Sequence, residues 1–453
     1  MEQTHFHHAL KVMPELCTAC SHCMRSCPTE AIRIRNGKAN ITGNKCIDCG
    51  ECFRVCPSNA IYVEQDDFNA IFNYKYRVAI VPVVLTAQLS LLYSMDEIFS
   101  AFTNIGFTHI YEVENSAHIL RQFQQEYIAQ NKEFKPLISC FCPAVVRMIQ
   151  VKFPSLTPHL ITLKQPLDYA AMYCRKRLED AGISEKEAGI FYITPCAAKI
   201  AAVKSPVGEE KSAVTGVINM DLLYNRIRRN ITNNPGAKQN DIIPFERPSK
   251  IGYTWPLTKG EAKNINGRTV AIDGLKNALD FLEKIENEET SGFDFIEIRA
   301  CDESCAGGIL SSTNRFMVVE ELEKEANAAK NEPKNIDQYI GFLHANKDIQ
   351  AVEPRSIMQL DNDTTKALEK VQKIQKLMCF LPGFDCGVCG APSCNALAED
   401  IVQGHAHISH CLFMQRVMEQ KHKLNPDHAY HIIEQIWGEK RLEKNCNKKG
   451  AKQ

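Results

Sequence analysis

From about Tyr74 onward, short β-branched apolar runs alternate with longer stretches whose apolar residues recur at helical spacing. The apolar runs predict strands over Val78–Val84, Thr108–Val113, Pro136–Ser139, Gly189–Thr194, Thr269–Asp273 and Asp294–Ile298. Met95–Phe102, Ser116–Ala129, Leu167–Ala181 and Leu275–Ile285 predict helices between them. Strands and helices in this alternation predict an α/β fold with largely parallel sheets. Val78–Met95 is uncharged over 18 residues, the lower limit for a membrane span. It also holds Pro82, Thr86, Gln88, Ser90 and Ser94 and opens β-branched, so it reads as a buried strand, a turn and a helix start. Lys204–Pro248 is richer in polar residues, Pro and Gly and reads as the surface of a second lobe. Glu320–Asn335 reads as an exposed helix. Asp363–Met378, with Leu368, Val371, Ile374 and Leu377, reads as a connecting amphipathic helix. Gly438–Gln453 is a basic, frayed tail.

Composition changes this picture little. The 453 residues carry 53 Lys+Arg against 54 Asp+Glu, with 44% hydrophobic and 24% charged residues. That length is enough for two to four domains, and the composition is that of a globular chain. A net charge near zero provides no general field for nucleic acid or an anionic membrane, so neither is expected as a partner. Met1–Leu10 shows neither the apolar core nor the cleavage site of a signal peptide.

The 20 cysteines change it most. Sixteen lie in short clusters beside Pro or Gly, which suits metal ligation in a reducing, cytoplasmic setting better than a disulfide framework. Cys17-x2-Cys20-x2-Cys23-x3-Cys27-Pro28 recurs 29 residues later as Cys46-x2-Cys49-x2-Cys52-x3-Cys56-Pro57. This is the ligand run of a bacterial two-cluster ferredoxin, in which each fourth Cys serves the other cluster. One 4Fe–4S cluster is therefore expected on Cys17, Cys20, Cys23 and Cys56, the other on Cys46, Cys49, Cys52 and Cys27. Zinc would leave the third-Cys spacing unexplained. Near the other end, Cys386-x2-Cys389-x4-Cys394-x16-Cys411, with Gly383, Gly387 and Gly390 between and around the thiols, suits a third 4Fe–4S cluster, with zinc as the competing occupant. Ser393 is placed to cap a helix over Asn395–Gln403 that Gly404 ends. His405, His407 and His410 are near enough to replace a thiolate but read as exposed helix histidines.

A third set is dispersed. Cys140-Phe141-Cys142-Pro143, Thr194-Pro195-Cys196-x2-Lys199 and Cys301-x3-Cys305-Ala-Gly307-Gly308 each follow a predicted strand. Parallel α/β folds place ligands beyond the carboxyl ends of their strands, so Cys142, Cys196, Cys301 and Cys305 would form one four-thiolate site. Lys199 could direct an ammonium at it.

In this order of motifs the chain resembles the iron-only (FeFe) hydrogenases over nearly its whole length. The resemblance implies an H-cluster, a 4Fe–4S cubane joined through Cys305 to a two-iron unit with CO, cyanide and a dithiolate. Cys142, Cys196 and Cys301 would complete the cubane's ligands, Lys199 would hydrogen-bond a cyanide, and Ala79–Pro82 looks like a strand and loop beside the pocket. It implies heterolytic H2 cleavage, with electrons leaving through three further 4Fe–4S clusters. The chain departs from the most active members. Phe141 stands where they carry a proton-relaying Cys, while Thr194, Arg299 and Ala202 stand where they carry Met, Met and Glu. The Cys301–Phe316 stretch and the last cluster resemble the sensory branch. Slow H2 chemistry is expected, with Cys140, Glu297, Asp302 and Glu303 as alternative relays and a redox or signalling protein as partner.

The expected fold is thus α/β: a two-lobed H-cluster domain with mainly parallel sheets over 69–362, an N-terminal two-cluster ferredoxin-like (α+β) domain over 1–68, and a small C-terminal helical 4Fe–4S domain over 363–425 with its linker helix. A helical, basic tail follows over 426–453. An H-cluster-free scaffold, assembly protein or electron carrier remains the competing reading. Cys140, Cys174, Cys379 and Cys446 are left over as spare thiols.

Overall fold

The computed structural model describes residues 6–233, 242–243, 245–329, 334–355, 360–361 and 363–439. The chain divides into two compact units. One gathers residues 10–46, 50–62 and 356–453; the other comprises 1–9, 47–49 and 63–355.

In the first unit β1 (Leu10–Val12), β2 (Ile32–Arg35), β3 (Lys38–Ile41) and β4 (Ile61–Val63) form two small sheets, β1 with β4 and β2 with β3. Asn36-Gly37 turns β2 into β3 with both residues left-handed (φ 52° and 68°), the conformation a tight two-residue hairpin requires. The carboxy-terminal segment is built onto this hairpin. The Ile34 N–H donates to Gly390 O at 2.8 Å, and the Asn36 and Gly37 N–H groups donate to Gln435 O and Ile436 O. Asp400, on the helix Cys394–Val402, accepts from Arg33 Nε and Arg35 Nη2, both at 2.8 Å, and Glu399 pairs with Lys45. These carboxylates and cations are largely shielded from water, where charge-assisted bonds are stronger than at a free surface. Ser393 caps the helix by accepting from Ala396 N at 3.0 Å.

In the second unit β5 (Tyr76–Val81), β6 (His109–Glu112), β8 (Ala188–Thr194) and β9 (Gly216–Asn219) make one four-stranded sheet in the order β6-β5-β8-β9. The strand β7 (Leu137–Ile138), with β10 (Thr269–Ile272) and β11 (Phe295–Ile298), makes a three-stranded sheet in the order β10-β11-β7. Every pairing in both sheets is parallel. All seven residues of β8 are buried, which is why that stretch reads as an unbroken apolar run rather than an alternating one. Val78–Met95 begins in β5, turns at Pro82 and continues as the helix Val83–Ser90, which is buried except at its last residue.

Two expectations are corrected. Part of Lys204–Pro248 is not a lobe surface: Gly216–Asn219 is a fully buried strand on the edge of the four-stranded sheet, followed by the helix Met220–Asn233. Only Val217 and Ile218 mark it in sequence, too few for periodicity to detect. The helix expected over Glu320–Asn335 begins at Arg315 and buries Val318, Leu322 and Ala326, so one face is packed. The tail beyond Glu439, with Cys446, lies outside the described residues. Among the described residues no helix is long and apolar enough to cross a membrane.

Candidate functional site

Three cysteine loops share one backbone device. Ala19 and Ser21 flank Cys20 in left-handed conformation (φ 53° and 68°), Asp48 and Gly50 do so around Cys49 (52° and 86°), and Asp385 and Gly387 around Cys386 (46° and 76°). Left-handed residues in such turns aim backbone N–H groups into a concavity, an arrangement that binds anionic groups. The device costs conformational energy at Ala19, Ser21, Asp48 and Asp385, which carry side chains. Nearby N–H groups already point at sulfur: Ala39 to Cys17 at 3.3 Å, Ala31 to Cys27 and Ala60 to Cys56, both at 3.2 Å.

The thiols converge in crossed sets. Burial, then the proximity of Cys20, Cys17 and Cys56, pushes the Cys23 thiol up to about 12. Burial and then Cys46 and Cys27 raise Cys52 likewise. Cys56 therefore faces the first run and Cys27 the second. Crowded, dehydrated thiols of this kind ionise readily only when a cation joins them, so the donor sets fit iron–sulfur clusters.

The carboxy-terminal loop gathers its four cysteines in the same way. Cys389 is pushed up to about 11 by burial, then by Cys411 and Cys386, and burial with Cys394 and Cys386 raises Cys411. Asp385 Oδ1 accepts from Cys394 N at 2.6 Å, closing the loop on the helix. Inner carbonyls of the loop are held by side chains: Cys386 O by Arg25 (3.1 Å), Cys389 O by Arg35 (3.1 Å) and Val388 O by the Trp437 indole (2.8 Å). His405, His407 and His410 are not on the helix. It ends at Val402, just before the left-handed Gly404 (φ 78°), and they lie in the turns that return the chain to Cys411.

In the second unit the dispersed motifs meet. Cys142 follows β7 and precedes the helix Pro143–Lys152; Cys196 follows β8 and precedes the helix Ala197–Lys204; Cys301 and Cys305 follow β11. Burial pushes Cys196 up to about 12 against the pull of Lys199, with Cys305 and Cys142 adding to the rise. Cys305 is raised by burial, opposed by Lys199 and Arg299. Cys301 is half-buried in the loop that also carries Cys305. That loop is tight: a Cβ at Gly307 would lie 1.9 Å from Asp302 O, and one at Gly308 2.7 Å from Pro195 O. Burial alone would depress the Lys199 ammonium, but Tyr192, Cys305, Cys196 and Glu114 together hold it above its ordinary value. A buried cation among thiols suits an anionic occupant.

Phe141 is buried beneath two cations. Lys199 Nζ stands 4.5 Å and Arg299 Cζ 3.8 Å from its ring centroid. Arg299 is itself buried and paired with Glu261 (2.8 Å) and Glu297 (3.3 Å), while Glu297 accepts from the Glu261 and Ala262 N–H groups. Cys140 is buried, its thiol raised by burial and then by Glu261. Cys140, Phe141, Lys164, Asp168 and Lys199 line a cavity of about 110 Å³. Pro82 is buried at the end of β5, and the next N–H, of Val83, donates to Glu114 at 2.9 Å. Asp302 instead pairs with Arg315 at 2.5 Å on the outer side of its loop, and the Glu303 N–H donates to Asp273 at 3.1 Å. Sequence reasoning missed Glu114, Tyr192, Asp168 and Glu261. None lies in a motif, and only tertiary convergence brings them near Lys199 and Phe141.

The geometry defines an iron–sulfur protein with a thiolate pocket at the strand ends of a parallel α/β unit. Comparison with known families specifies it further. The family described as "Iron only hydrogenase large subunit, C-terminal domain" matches residues 77–233 and 256–309, a "4Fe-4S dicluster domain" matches 9–57, and a family described as "Putative Fe-S cluster" matches 381–413. The chain belongs to the iron-only hydrogenase family. A structure of an FeFe-hydrogenase studied for oxygen inactivation is 15% identical, covering 62% of this chain and 94% of its own, with a TM-score of 0.45. A variant of the FeFe-hydrogenase of Chlamydomonas reinhardtii is 14% identical over 62% and 94%, with a TM-score of 0.46. Among curated proteins, a component of the ion-translocating oxidoreductase complex of Rhodobacter capsulatus is 41% identical over 49 residues, 11% of this chain; the match spans 23% of that relative.

Proposed function

We propose that this iron–sulfur oxidoreductase of hydrogenase type interconverts H2 with protons and electrons at an H-cluster, slowly, and serves to sense H2 or redox state. The observation that carries this is Lys199, a buried cation beside Cys196 and Cys305 on the wall of a pocket. Such a charge would offset the anionic thiolates and would also offer a cyanide on a two-iron unit a hydrogen-bond donor. Cys142, Cys196, Cys301 and Cys305 would hold the group, which when bound supplies the iron at which H2 is cleaved and the electrons are stored.

The chain's own residues account for the slowness. The Phe141 ring excludes water at the pocket but offers no proton, and loss of a positioned acid–base group typically costs about 10²–10⁴-fold in rate. Protons would instead move by way of Cys140 or Glu297, which are buried, or through Asp302 and Glu303 on the third loop. Electrons would leave through clusters on the N-terminal repeat and the C-terminal loop toward a redox or signalling partner in a reducing cytoplasm. A scaffold or electron carrier without the two-iron unit is the alternative. Infrared spectra of protein matured with the two-iron cofactor decide between them: CO and cyanide stretching bands are expected, and their absence dismisses the hydrogenase reading.

A further inference from the structure

The carboxy-terminal cysteine loop has an inner and an outer side. On the inner side Arg25, Arg35 and Trp437 hold the carbonyls of Cys386, Cys389 and Val388, the two arginines tying the loop to the N-terminal segment within one unit. The outer side carries aromatic residues into solvent. Phe384, two residues before Cys386, is 66% exposed, and Phe413, two after Cys411, is 44% exposed. Their rings meet edge to face at 5.2 Å, so the two form one patch rather than scattered apolar contacts. Leu412, Val417 and Phe380 are exposed in the same segments. A patch bracketing two cluster ligands on the solvent side marks an interaction surface.

Charge identifies the occupant. The helix Thr364–Met378, which packs its Ile374 and Leu377 against the loop's core, carries Lys366, Lys370, Lys373 and Lys376 against a single acid, Glu369. Residues 412–425 add Arg416, Lys421 and Lys423 against Glu419. Of the other acids nearby, Asp361 pairs with Lys370, Asp363 caps the helix, Asp385 accepts from Cys394 N, and Glu399 and Asp400 are paired with Lys45, Arg33 and Arg35. An exposed aromatic pair and a lysine-rich helix, both packed on the same cysteine loop, suit an acidic partner whose redox group must approach closely.

We propose that Phe384 and Phe413, with the lysines of the helix Thr364–Met378, form the docking surface for an acidic one-electron carrier protein, making the carboxy-terminal cluster this chain's electron port. The proposal rests on a cluster being held by Cys386, Cys389, Cys394 and Cys411. One electron passes from the reduced carrier to the oxidised cluster, with no bond made or broken.

The test uses the anaerobically reconstituted full chain and, as probe, a reduced acidic two-cluster bacterial ferredoxin. Its oxidation is followed by stopped flow, in parallel with reduction of the chain by dithionite. Phe384→Ser with Phe413→Ser, and separately Lys373→Glu with Lys376→Glu, are expected to slow the ferredoxin reaction about tenfold or more. The wild-type rate is expected to fall with salt and the charge variant to lose most of that dependence, while dithionite reduction stays unchanged. Rates insensitive to both variants, or an equal loss with dithionite, overturn the proposal. So does sedimentation showing a dimer that the aromatic variant dissociates, which assigns the patch to a second copy of this chain. If iron analysis and electron paramagnetic resonance find no cluster on this loop, the cluster reading itself fails, and the port with it.

Discussion

Phe141 occupies the position at which an acid–base thiol is expected, but the ring is not inert. Its contacts with the Lys199 and Arg299 cations lie in a dehydrated site, where such interactions reach about 2 kcal/mol each. Replacing it therefore does two things, adding or withholding a proton carrier and releasing both cations. Phe141→Cys is predicted to raise H2 turnover of the matured protein by about tenfold or more, whereas Phe141→Leu, which removes only the ring, leaves it unchanged or lower. Equal rates in the two variants, properly matured, remove the relay argument. Glu112 gives a second residue-scale expectation. Burial pushes its carboxyl up to about 7, although Arg247 and Thr86 favour the charged form. A folded-state value above the unfolded one means the folded chain holds the proton more tightly. The resulting stabilisation is full below about pH 4.3 and is lost as pH rises through 7, on the order of 3 kcal/mol in all. Glu112→Gln should flatten that part of the pH dependence of the denaturation midpoint; a wild-type slope in the variant excludes this carboxyl as its source.

At the scale of elements, the junction between the β2–β3 hairpin and the carboxy-terminal loop leaves no room for a side chain. Gly390 is left-handed (φ 71°), and a Cβ there would stand 2.3 Å from Ile34 O, the carbonyl of a paired strand. Gly390→Ala is predicted to cost roughly 1–3 kcal/mol and to speed hydrogen exchange in both the Cys394–Val402 helix and β2. Ser393→Ala, which removes the cap, is expected to cost about 1 kcal/mol and to act on the helix alone. Exchange that accelerates in only one of the two elements for Gly390→Ala would show that the hairpin does not depend on the loop.

At the scale of the molecule, the cysteines divide into eight, four and four, with Cys140, Cys174, Cys379 and Cys446 outside the sets. Anaerobic reconstitution is expected to yield the iron and sulfide of four cubanes before any two-iron unit is added. Cys386→Ser with Cys389→Ser should remove one cubane's worth and leave the others. A smaller loss, or none, would reassign the carboxy-terminal loop.

The cluster loops were readable from sequence because their chemistry is local: three thiolates on one short turn need fixed spacing, and the repeat states that spacing twice. The parallel α/β architecture was also readable, since buried strands are continuous apolar runs whose ends the intervening helices mark. The edge strand Gly216–Asn219 escaped because only two of its residues, Val217 and Ile218, are apolar, within a stretch otherwise rich in polar residues and Gly. Nor does spacing reveal that Glu261, Glu297 and Arg299 form one buried ion network against Phe141, that Glu114 and Tyr192 surround Lys199, or that the last cysteine loop docks on a hairpin more than 350 residues earlier. These pairings arise only when crossover connections bring distant strand ends together and burial removes water. Opposed charges and aromatic faces then become each other's only solvation, a property of the packed chain that no local pattern of residues contains.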